Sequence, residues 1–240
     1  MPLKVVVGRS DFLGDVIWIA SRRDVINGQV EQGSATLTFV SGDLGLGKTR
    51  LFEEFRRRAE SDGVPSALVR PTEACRRRPY AALASALDPL AGALRGEMAD
   101  FPPGLAPALL TLAPAIALGS CPAAEPRPQL FEAAVRELVT RLSYGRGLVL
   151  LIDDAHWADD ASLDAPLSLS RTSITDGLRI SLSYRPRQLS PRLTAAVENV
   201  TLSGVARMCR LSPLTVDESR RMIGDRRSAR RRDRFARATS

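Results

Sequence analysis

The residues that most constrain the chemistry of this chain lie at Gly42–Thr49 and read Gly-Asp-Leu-Gly-Leu-Gly-Lys-Thr. They match the phosphate-binding loop pattern G-x-x-x-x-G-K-[ST], the Walker A motif, at every fixed position. Glycines let consecutive backbone N–H groups of such a loop turn toward one anion, and the helix that follows directs its positive dipole end to the same place. The pattern therefore predicts a binding site for the phosphates of a nucleotide.

Two residues at the end of this loop have separate predicted roles. We expect the ammonium of Lys48 to reach the β- and γ-phosphates and the hydroxyl of Thr49 to bind Mg²⁺. The residues predicted to contact the nucleotide are Gly42, Asp43, Leu44, Gly45, Leu46, Gly47, Lys48, Thr49 and Arg50.

A pair of carboxylates further along the chain would complete the metal site. Leu148–Ile152 is an uninterrupted aliphatic run, typical of a parallel strand buried on both faces, and Asp153 and Asp154 follow it directly. Ligands of open α/β folds bind at this end of the strands. We expect Asp153 to hold Mg²⁺ with Thr49 and Asp154 to orient the attacking water. Because Asp is one methylene shorter than the Glu usual in fast enzymes of this kind, we predict slow hydrolysis.

Strands and helices alternate along the chain. Strands are predicted at 35–41, 64–70, 148–152, 178–184 and 207–211, and helices at 48–62, 80–95, 129–143, 161–171 and 215–223. This order predicts an α/β fold of three layers around a central, mostly parallel five-stranded sheet, as in P-loop NTPases of the ASCE or AAA type.

The composition favours a soluble cytoplasmic protein. The chain has 240 residues, of which 44% are hydrophobic and 25% charged, and this suits one α/β domain with a substantial core. Cys75, Cys121 and Cys209 are widely separated, which predicts reduced thiols rather than disulfides or a zinc site. The N-terminus lacks the apolar stretch of a secretory signal.

An uncharged segment at 101–124 raises the question of a membrane span. Five prolines and two glycines divide it into pieces too short to cross a bilayer as one helix. We therefore predict no membrane contact, and expect either a pair of short buried helices or an apolar lid near the nucleotide.

The net charge of +7 is concentrated at 220–240, which contains nine arginines and two aspartates. One interpretation is an arm that binds nucleic acid, which would make the chain a DNA-associated regulator. The other, which we favour, is a solvated and disordered end, because apolar residues are few there and the one aromatic is Phe235.

A family resemblance rests on five short stretches: the loop with its continuation at Gly42–Glu54, and the stretches Val6–Arg9, Asp153–Asp159, Leu182–Pro186 and Leu211–Thr215. Together they resemble the AAA-like NTPase domain of the STAND class of signal-transducing ATPases, and most of all the large ATP-binding LuxR-type transcriptional regulators of bacteria. Asp153–Asp159 (Asp-Asp-Ala-His-Trp-Ala-Asp) looks like the extended Walker B signature of that family. Val6–Arg9 is similar to its opening motif near the adenine, Leu182–Pro186 to the end of its sensor-1 strand, and Leu211–Thr215 to the start of its helical lid.

The resemblance implies a regulatory switch that binds ATP or ADP with Mg²⁺, hydrolyses ATP slowly and self-associates through the ATPase domain. It makes Arg185 the sensor of the γ-phosphate. Adenine rather than guanine is implied by the resemblance alone. The winged-helix, helical-repeat and helix-turn-helix regions of the family are not recognisable, so we expect the switch without its output. The implied divisions are an N-terminal segment at 1–34, the ATPase core at 35–212, the start of a truncated lid at 213–225 and the arginine-rich tail at 226–240.

Two further features keep alternatives open. His156, the only histidine, could bond the γ-phosphate, a water or a neighbouring subunit, although a supporting structural role is favoured over direct chemistry. Arg76–Arg78 could supply an arginine finger in an oligomer, although a solvated run of charge is the commoner explanation.

Overall fold

The structure, a computed structural model, describes residues 36–95, 97–117, 128–170, 177–203 and 206–213. Five strands form one sheet in which every neighbouring pair is parallel. The strands are β1 (Thr36–Ser41), β2 (Ser66–Val69), β3 (Leu148–Ile152), β4 (Leu178–Tyr184) and β5 (Ala206–Arg210). All five predicted strands are present with small differences at their ends, and the predicted fold class is confirmed.

The strand order is β2-β3-β4-β1-β5. Strand β4 therefore lies between β1, which leads into the glycine-rich loop, and β3, which leads into the paired acids. In its register Leu182 is opposite both Phe39 of β1 and Ile152 of β3. The carboxyl ends of these three strands consequently meet at one edge of the sheet.

The helices of the described residues are α1 (Lys48–Ser61), α2 (Ala81–Ala91), α3 (Ala106–Leu112), α4 (Phe131–Ser143), α5 (Asp160–Leu169) and α6 (Pro191–Leu202). Four of them were predicted, with α2 tightening into a 3₁₀ turn at Gly92–Leu94. Helix α6 was not predicted, although Ser190 caps it by accepting the N–H of Leu193, and Pro191 suits its first turn.

Two apolar cores lie on opposite faces of the sheet, which makes the architecture three-layered. On one face α1 packs Phe52 and Phe55 against the side of β3 that carries Val149 and Leu151. On the other face the remaining helices pack against Leu148, Leu150 and Ile152. Alternate residues of β3 thus point into different cores, which explains why the whole strand is aliphatic.

The described part of the uncharged segment forms short buried helical pieces. Helix α3 lies between 3₁₀ turns at Pro103–Leu105 and Pro114–Ile116, and its buried residues join the core that contains α2 and α4. The described part thus agrees with burial of short helical pieces, although it has one α-helix between two 3₁₀ turns rather than a pair of helices. Among the described residues, no helix combines the length and apolar character needed to cross a membrane.

Several predictions lie outside the described residues. These concern the N-terminal segment with its motif at 6–9, Cys121, the helix at 215–223 and the arginine-rich tail. Cys75 and Cys209, which are described, are both free thiols.

Candidate nucleotide-binding site

The glycine-rich loop leaves the end of β1 and turns directly into α1. Gly45 and Gly47 have φ angles of +79° and +85°, in the left-handed region that glycine adopts without strain. Gly42 is closely packed, since a Cβ atom there would lie 3.2 Å from the Cβ of Leu211. The loop therefore has the backbone freedom that a ring of inward-facing N–H groups requires.

The side chain of Lys48 folds back over this loop. Its Nζ donates hydrogen bonds to the carbonyl oxygens of Gly42 at 2.8 Å and Asp43 at 3.0 Å. Burial lowers the pKa of Lys48 from its ordinary value, and nearby Asp154 partly opposes that shift. A buried cation that donates these hydrogen bonds to two neutral carbonyl groups is well placed to gain from an incoming anion.

The loop and the paired acids are joined through Thr49 and Asp153. The hydroxyl Oγ1 of Thr49 donates to Oδ2 of Asp153 at 2.5 Å. Oδ1 of the same carboxylate accepts from the hydroxyl of Ser183 at 2.5 Å, and Asp153 is almost wholly buried. Magnesium in nucleotide sites is held by hard oxygen ligands, commonly one or two from the protein together with phosphate oxygens. A hydroxyl and a carboxylate oxygen that already touch fit that ion.

Ser183 is a site residue that sequence reasoning missed. It lies near the end of β4, is fully buried, and also accepts the backbone N–H of Asp154 at 2.9 Å. It thus orients the carboxylate of Asp153 and fixes the backbone of the next residue. The signal that could have found it is a hydroxyl at the end of an otherwise core-forming strand, but using that signal requires knowing that β4 neighbours β3.

Arg70 was also missed. It follows β2, and its Nε lies 3.6 Å from Oδ2 of Asp153 while its Nη2 contacts Oε1 of Glu53 on α1 at 2.5 Å. One guanidinium therefore lies between a predicted metal ligand and a surface carboxylate. No local pattern in the sequence indicates this placement.

The structure brings the two predicted catalytic residues together. Asp154 has a φ angle of +52°, and its side chain is 28% exposed. Its Oδ2 lies 3.4 Å from Nη2 of Arg185, and its Oδ1 lies 3.9 Å from Nδ1 of His156. Residues after β3 and β4 thus form a small polar cluster next to the loop.

His156 is buried in this cluster, with 1% of its side chain exposed. Neither ring nitrogen has a hydrogen-bond partner among the described residues. Burial lowers the pKa of His156, and Asp154 opposes this while Arg185 adds to it. Burial thus disfavours the charged form of this imidazole.

Arg76 contacts the segment that follows β3 rather than extending freely into solvent. Its Nη2 donates to the carbonyl oxygen of His156 at 2.5 Å, and its guanidinium lies 4.7 Å from the centre of the Trp157 ring. At that distance the cation and the ring attract each other. Arg76 is thus a structural contact of its own chain in this structure.

Asp159 fixes the C-terminal end of the segment that follows β3. This buried carboxylate caps α5 by accepting the N–H of Ser162 at 2.8 Å, and it accepts the N–H of Tyr80 at 2.7 Å where α2 begins. Tyr80 has a φ angle of +62°, which is uncommon for a residue with a side chain. The segment from Asp153 to Asp159 is therefore anchored at both ends.

The sequence matches the family model described as AAA ATPase domain over residues 23–181. No curated protein matches the chain. Among solved structures, the ORC1 protein of Aeropyrum pernix in complex with DNA is 14% identical, with a TM-score of 0.47, over 94% of this chain and 50% of that one. Cdc6p from Pyrobaculum aerophilum is 14% identical with a TM-score of 0.49, over 95% and 52%.

A signal transduction ATPase with numerous domains and a tetratricopeptide repeat sensor, from Pyrococcus horikoshii, is 14% identical with a TM-score of 0.44. The alignment covers 91% of this chain and 25% of that one. This chain thus spans about half the length of the first two proteins and a quarter of the third.

Proposed function

We propose that this chain, which belongs to the AAA ATPase domain family, is an ATP-binding regulatory switch that hydrolyses ATP slowly in the presence of Mg²⁺. The observation that carries the proposal is the 2.5 Å contact between the hydroxyl of Thr49 and the carboxylate of Asp153. These groups come from the phosphate-binding loop and from the end of β3, and both have oxygen atoms that suit one magnesium ion.

Binding begins with the loop and Lys48. The backbone N–H groups of Gly42–Lys48 and the start of α1 attract the phosphates. Lys48 exchanges its two carbonyl acceptors for phosphate oxygens, and this exchange places a full negative charge beside a buried ammonium. The electrostatic gain from that pairing is the main source of affinity in the proposal.

The metal would be held by Thr49 and Asp153, with Ser183 keeping the carboxylate in place through its bond to Oδ1. Bound Mg²⁺ would neutralise charge on the phosphates during their hydrolysis. The other groups act beside it: Asp154 orients a water and accepts its proton, and Arg185 contacts the γ-phosphate.

Slow hydrolysis is proposed because of the residue at 154. An aspartate reaches one methylene less far than a glutamate, and the backbone of Asp154 is held by Ser183 at 2.9 Å. A shift of the backbone at Asp154 therefore does not make up for the missing methylene, whichever way the side chain rotates. A loss of one positioning interaction commonly lowers a rate by ~10²-fold.

The regulatory part of the proposal is supported by the likeness of Asp153–Asp159 and of the loop to the signal-transducing class, within which we favour the LuxR-type transcriptional regulators. A switch of this kind binds ATP and ADP with different consequences for its conformation or its self-association. We place the domain in the cytoplasm and expect adenine to be its base.

The experiment that tests the proposal is calorimetric titration of ADP and ATP with and without Mg²⁺, using the wild-type chain and Lys48→Ala. We expect micromolar binding strengthened by Mg²⁺ in the wild type, and at least ~10-fold weaker binding in the variant because a charge-assisted contact is lost. Arg56→Ala is the matched control, since Arg56 lies on the same helix, is half exposed and pairs with Glu60. Equal affinities of the wild type and Lys48→Ala would refute the proposed site.

A further inference from the structure

Asp154 lies between two nitrogen-bearing side chains, and its present partner is Arg185. The distance from Oδ2 to Nη2 of Arg185 is 3.4 Å, whereas Oδ1 and Nδ1 of His156 are 3.9 Å apart. The second separation is too long for a hydrogen bond and lies within an ångström or so of one. The carboxylate is partly exposed, so it has room to rotate between these partners.

The nitrogens around Asp154 are incompletely bonded. Both ring nitrogens of His156 and the Nε of Arg185 are buried, and none has a hydrogen-bond partner among the described residues. A buried donor without a partner is destabilising, and native structures rarely retain one without a reason. The ring of the histidine in particular gains no hydrogen bond from the described residues in this arrangement, although it is placed beside a carboxylate.

We propose that His156 is a positioning residue. When Arg185 turns to the γ-phosphate, the carboxylate of Asp154 leaves Arg185 and becomes hydrogen-bonded to His156. This rests on the proposed function, in which Arg185 binds that phosphate. In the ligand-free or ADP-bound arrangement Arg185 holds Asp154. With ATP bound, Nδ1–H of His156 donates to Oδ1 of Asp154 and aims the carboxylate at the water.

The surroundings favour this role over direct chemistry by the imidazole. Whereas the carboxylate of Asp154 is partly exposed, the side chain of His156 is almost wholly buried, so solvent has little access to it. Its backbone is held in place, because the carbonyl oxygen of His156 accepts from Arg76 at 2.5 Å. In its neutral form the imidazole can donate a single hydrogen bond from Nδ1 without adding charge.

The first test uses the fact that His156 is the only histidine in the chain, so ¹⁵N-labelled imidazole gives one pair of nitrogen signals. We expect the Nδ1 signal to be the same without ligand and with Mg²⁺–ADP, and to shift toward a hydrogen-bonded donor with Mg²⁺ and a non-hydrolysable ATP analogue. In Arg185→Ala the shifted signal should already be present with ADP. In Asp154→Gly, which tolerates the positive φ, the shift should disappear.

The second test separates positioning from packing by kinetics. Asparagine places its amide nitrogen near the position of Nδ1, whereas glutamine places it near Nε2. We therefore expect His156→Asn to keep kcat within ~3-fold and His156→Gln to lower it by at least ~10-fold, with KM and ADP affinity little changed in both. Equal losses in the two variants would overturn the proposal.

The outcomes distinguish this inference from the function on which it rests. A wild-type chain that binds no nucleotide overturns both. If the chain binds ADP and the ATP analogue but has the same imidazole signal with each, only the proposed change of partner of Asp154 is overturned. A shift that persists in Asp154→Gly overturns the same proposal.

Discussion

Thr49 and Asp153 are separated by 104 positions in the chain, yet the hydroxyl of one donates to the carboxylate of the other at 2.5 Å. The contact results from the strand order. Strand β4 lies between the strands that precede these residues, and the helix that begins at Lys48 crosses the sheet toward β3. Two groups that suit one cation are therefore brought together by the fold itself.

This contact predicts that Thr49 controls the dependence of nucleotide binding on Mg²⁺. In Thr49→Ala we expect the factor by which Mg²⁺ raises the ADP affinity to fall by about 10-fold or more, because a metal ligand is removed. Binding in EDTA should change little. Titration calorimetry with and without Mg²⁺ measures both quantities. Thr49→Ser, which keeps the hydroxyl, is the control, and an equal loss in both variants would contradict the assignment.

A second prediction concerns the charge of Arg70 next to the metal ligands. Its Nε is 3.6 Å from Asp153, and Glu53 competes for the same guanidinium. A cation at the metal position would be repelled by Arg70, so Arg70→Ala should increase the effect of Mg²⁺ on ADP affinity by about 3-fold at moderate salt. Glu53→Gln should decrease it, because Arg70 is then free to pair with Asp153.

The control for this prediction is Arg57→Ala on the same helix as Glu53. Arg57 is an exposed arginine that pairs with Glu54, so it tests whether any lost positive charge has the same effect. If Arg57→Ala and Arg70→Ala change the Mg²⁺ dependence equally, the effect is one of net charge and the local explanation fails. The double variant with Glu53→Gln and Arg70→Ala should behave like Arg70→Ala.

The parts of the site that could be predicted are those that depend on contiguous residues. The loop, β3 and the paired acids each have a local pattern, since glycine, lysine and carboxylate at fixed spacing carry the chemistry. The α/β alternation then implies that strand ends share an edge. That is why the sequence alone leads one to expect that Thr49 and Asp153 meet.

The residues that were missed depend on which strand neighbours which. Ser183 supports Asp153 because β4 lies beside β3, and Arg70 reaches the same carboxylate because β2 lies on the other side. Sequence order does not reveal these neighbours. Helix α6 was missed although its local signals are present, since Leu193, Val197 and Val200 have helical spacing and Ser190 caps the first turn.

A third prediction is that the stability of the fold depends on pH through Glu54. Hydrogen bonds from Arg57 lower the pKa of Glu54 from 4.5 to about 2, with Arg58 contributing and partial burial opposing. Because the folded-state pKa is the lower one, the unfolded chain binds the proton more readily. The stabilisation is therefore complete above pH 4.5 and is lost as the pH falls toward 2.

We expect Glu54→Gln to lower the free energy of unfolding by about 1 kcal/mol or less at pH 7, since the pairs lie at the surface. The difference from the wild type should shrink between pH 4.5 and 2. Urea unfolding at several pH values measures it. Glu60→Gln is the control, because Glu60 pairs at 3.5 Å with a half-exposed arginine. A difference that is constant over this pH range would show that the charge of Glu54 is not its source.

A fourth prediction concerns two glycines that approach each other where β3 and β4 begin. Gly147 and Gly177 have φ angles of +72° and +80°, and a Cβ atom on Gly177 would lie 2.9 Å from the Cα of Gly147. Gly145 has a similar φ of +70° with no atom within 4 Å of its Cβ position. It therefore reports the backbone strain alone.

We expect Gly145→Ala to lower the free energy of unfolding by about 1–2 kcal/mol, because a residue with a side chain is strained in a left-handed conformation. Gly177→Ala should cost about 2–4 kcal/mol, because the methyl group also pushes apart the backbones that lead into the central strands. Urea unfolding of both variants, with unchanged m-values, measures the difference. Equal losses of stability in the two variants would show that the segments around Gly147 and Gly177 separate without penalty. Their close approach would then not fix the register of β3 against β4 at Leu148 and Leu178.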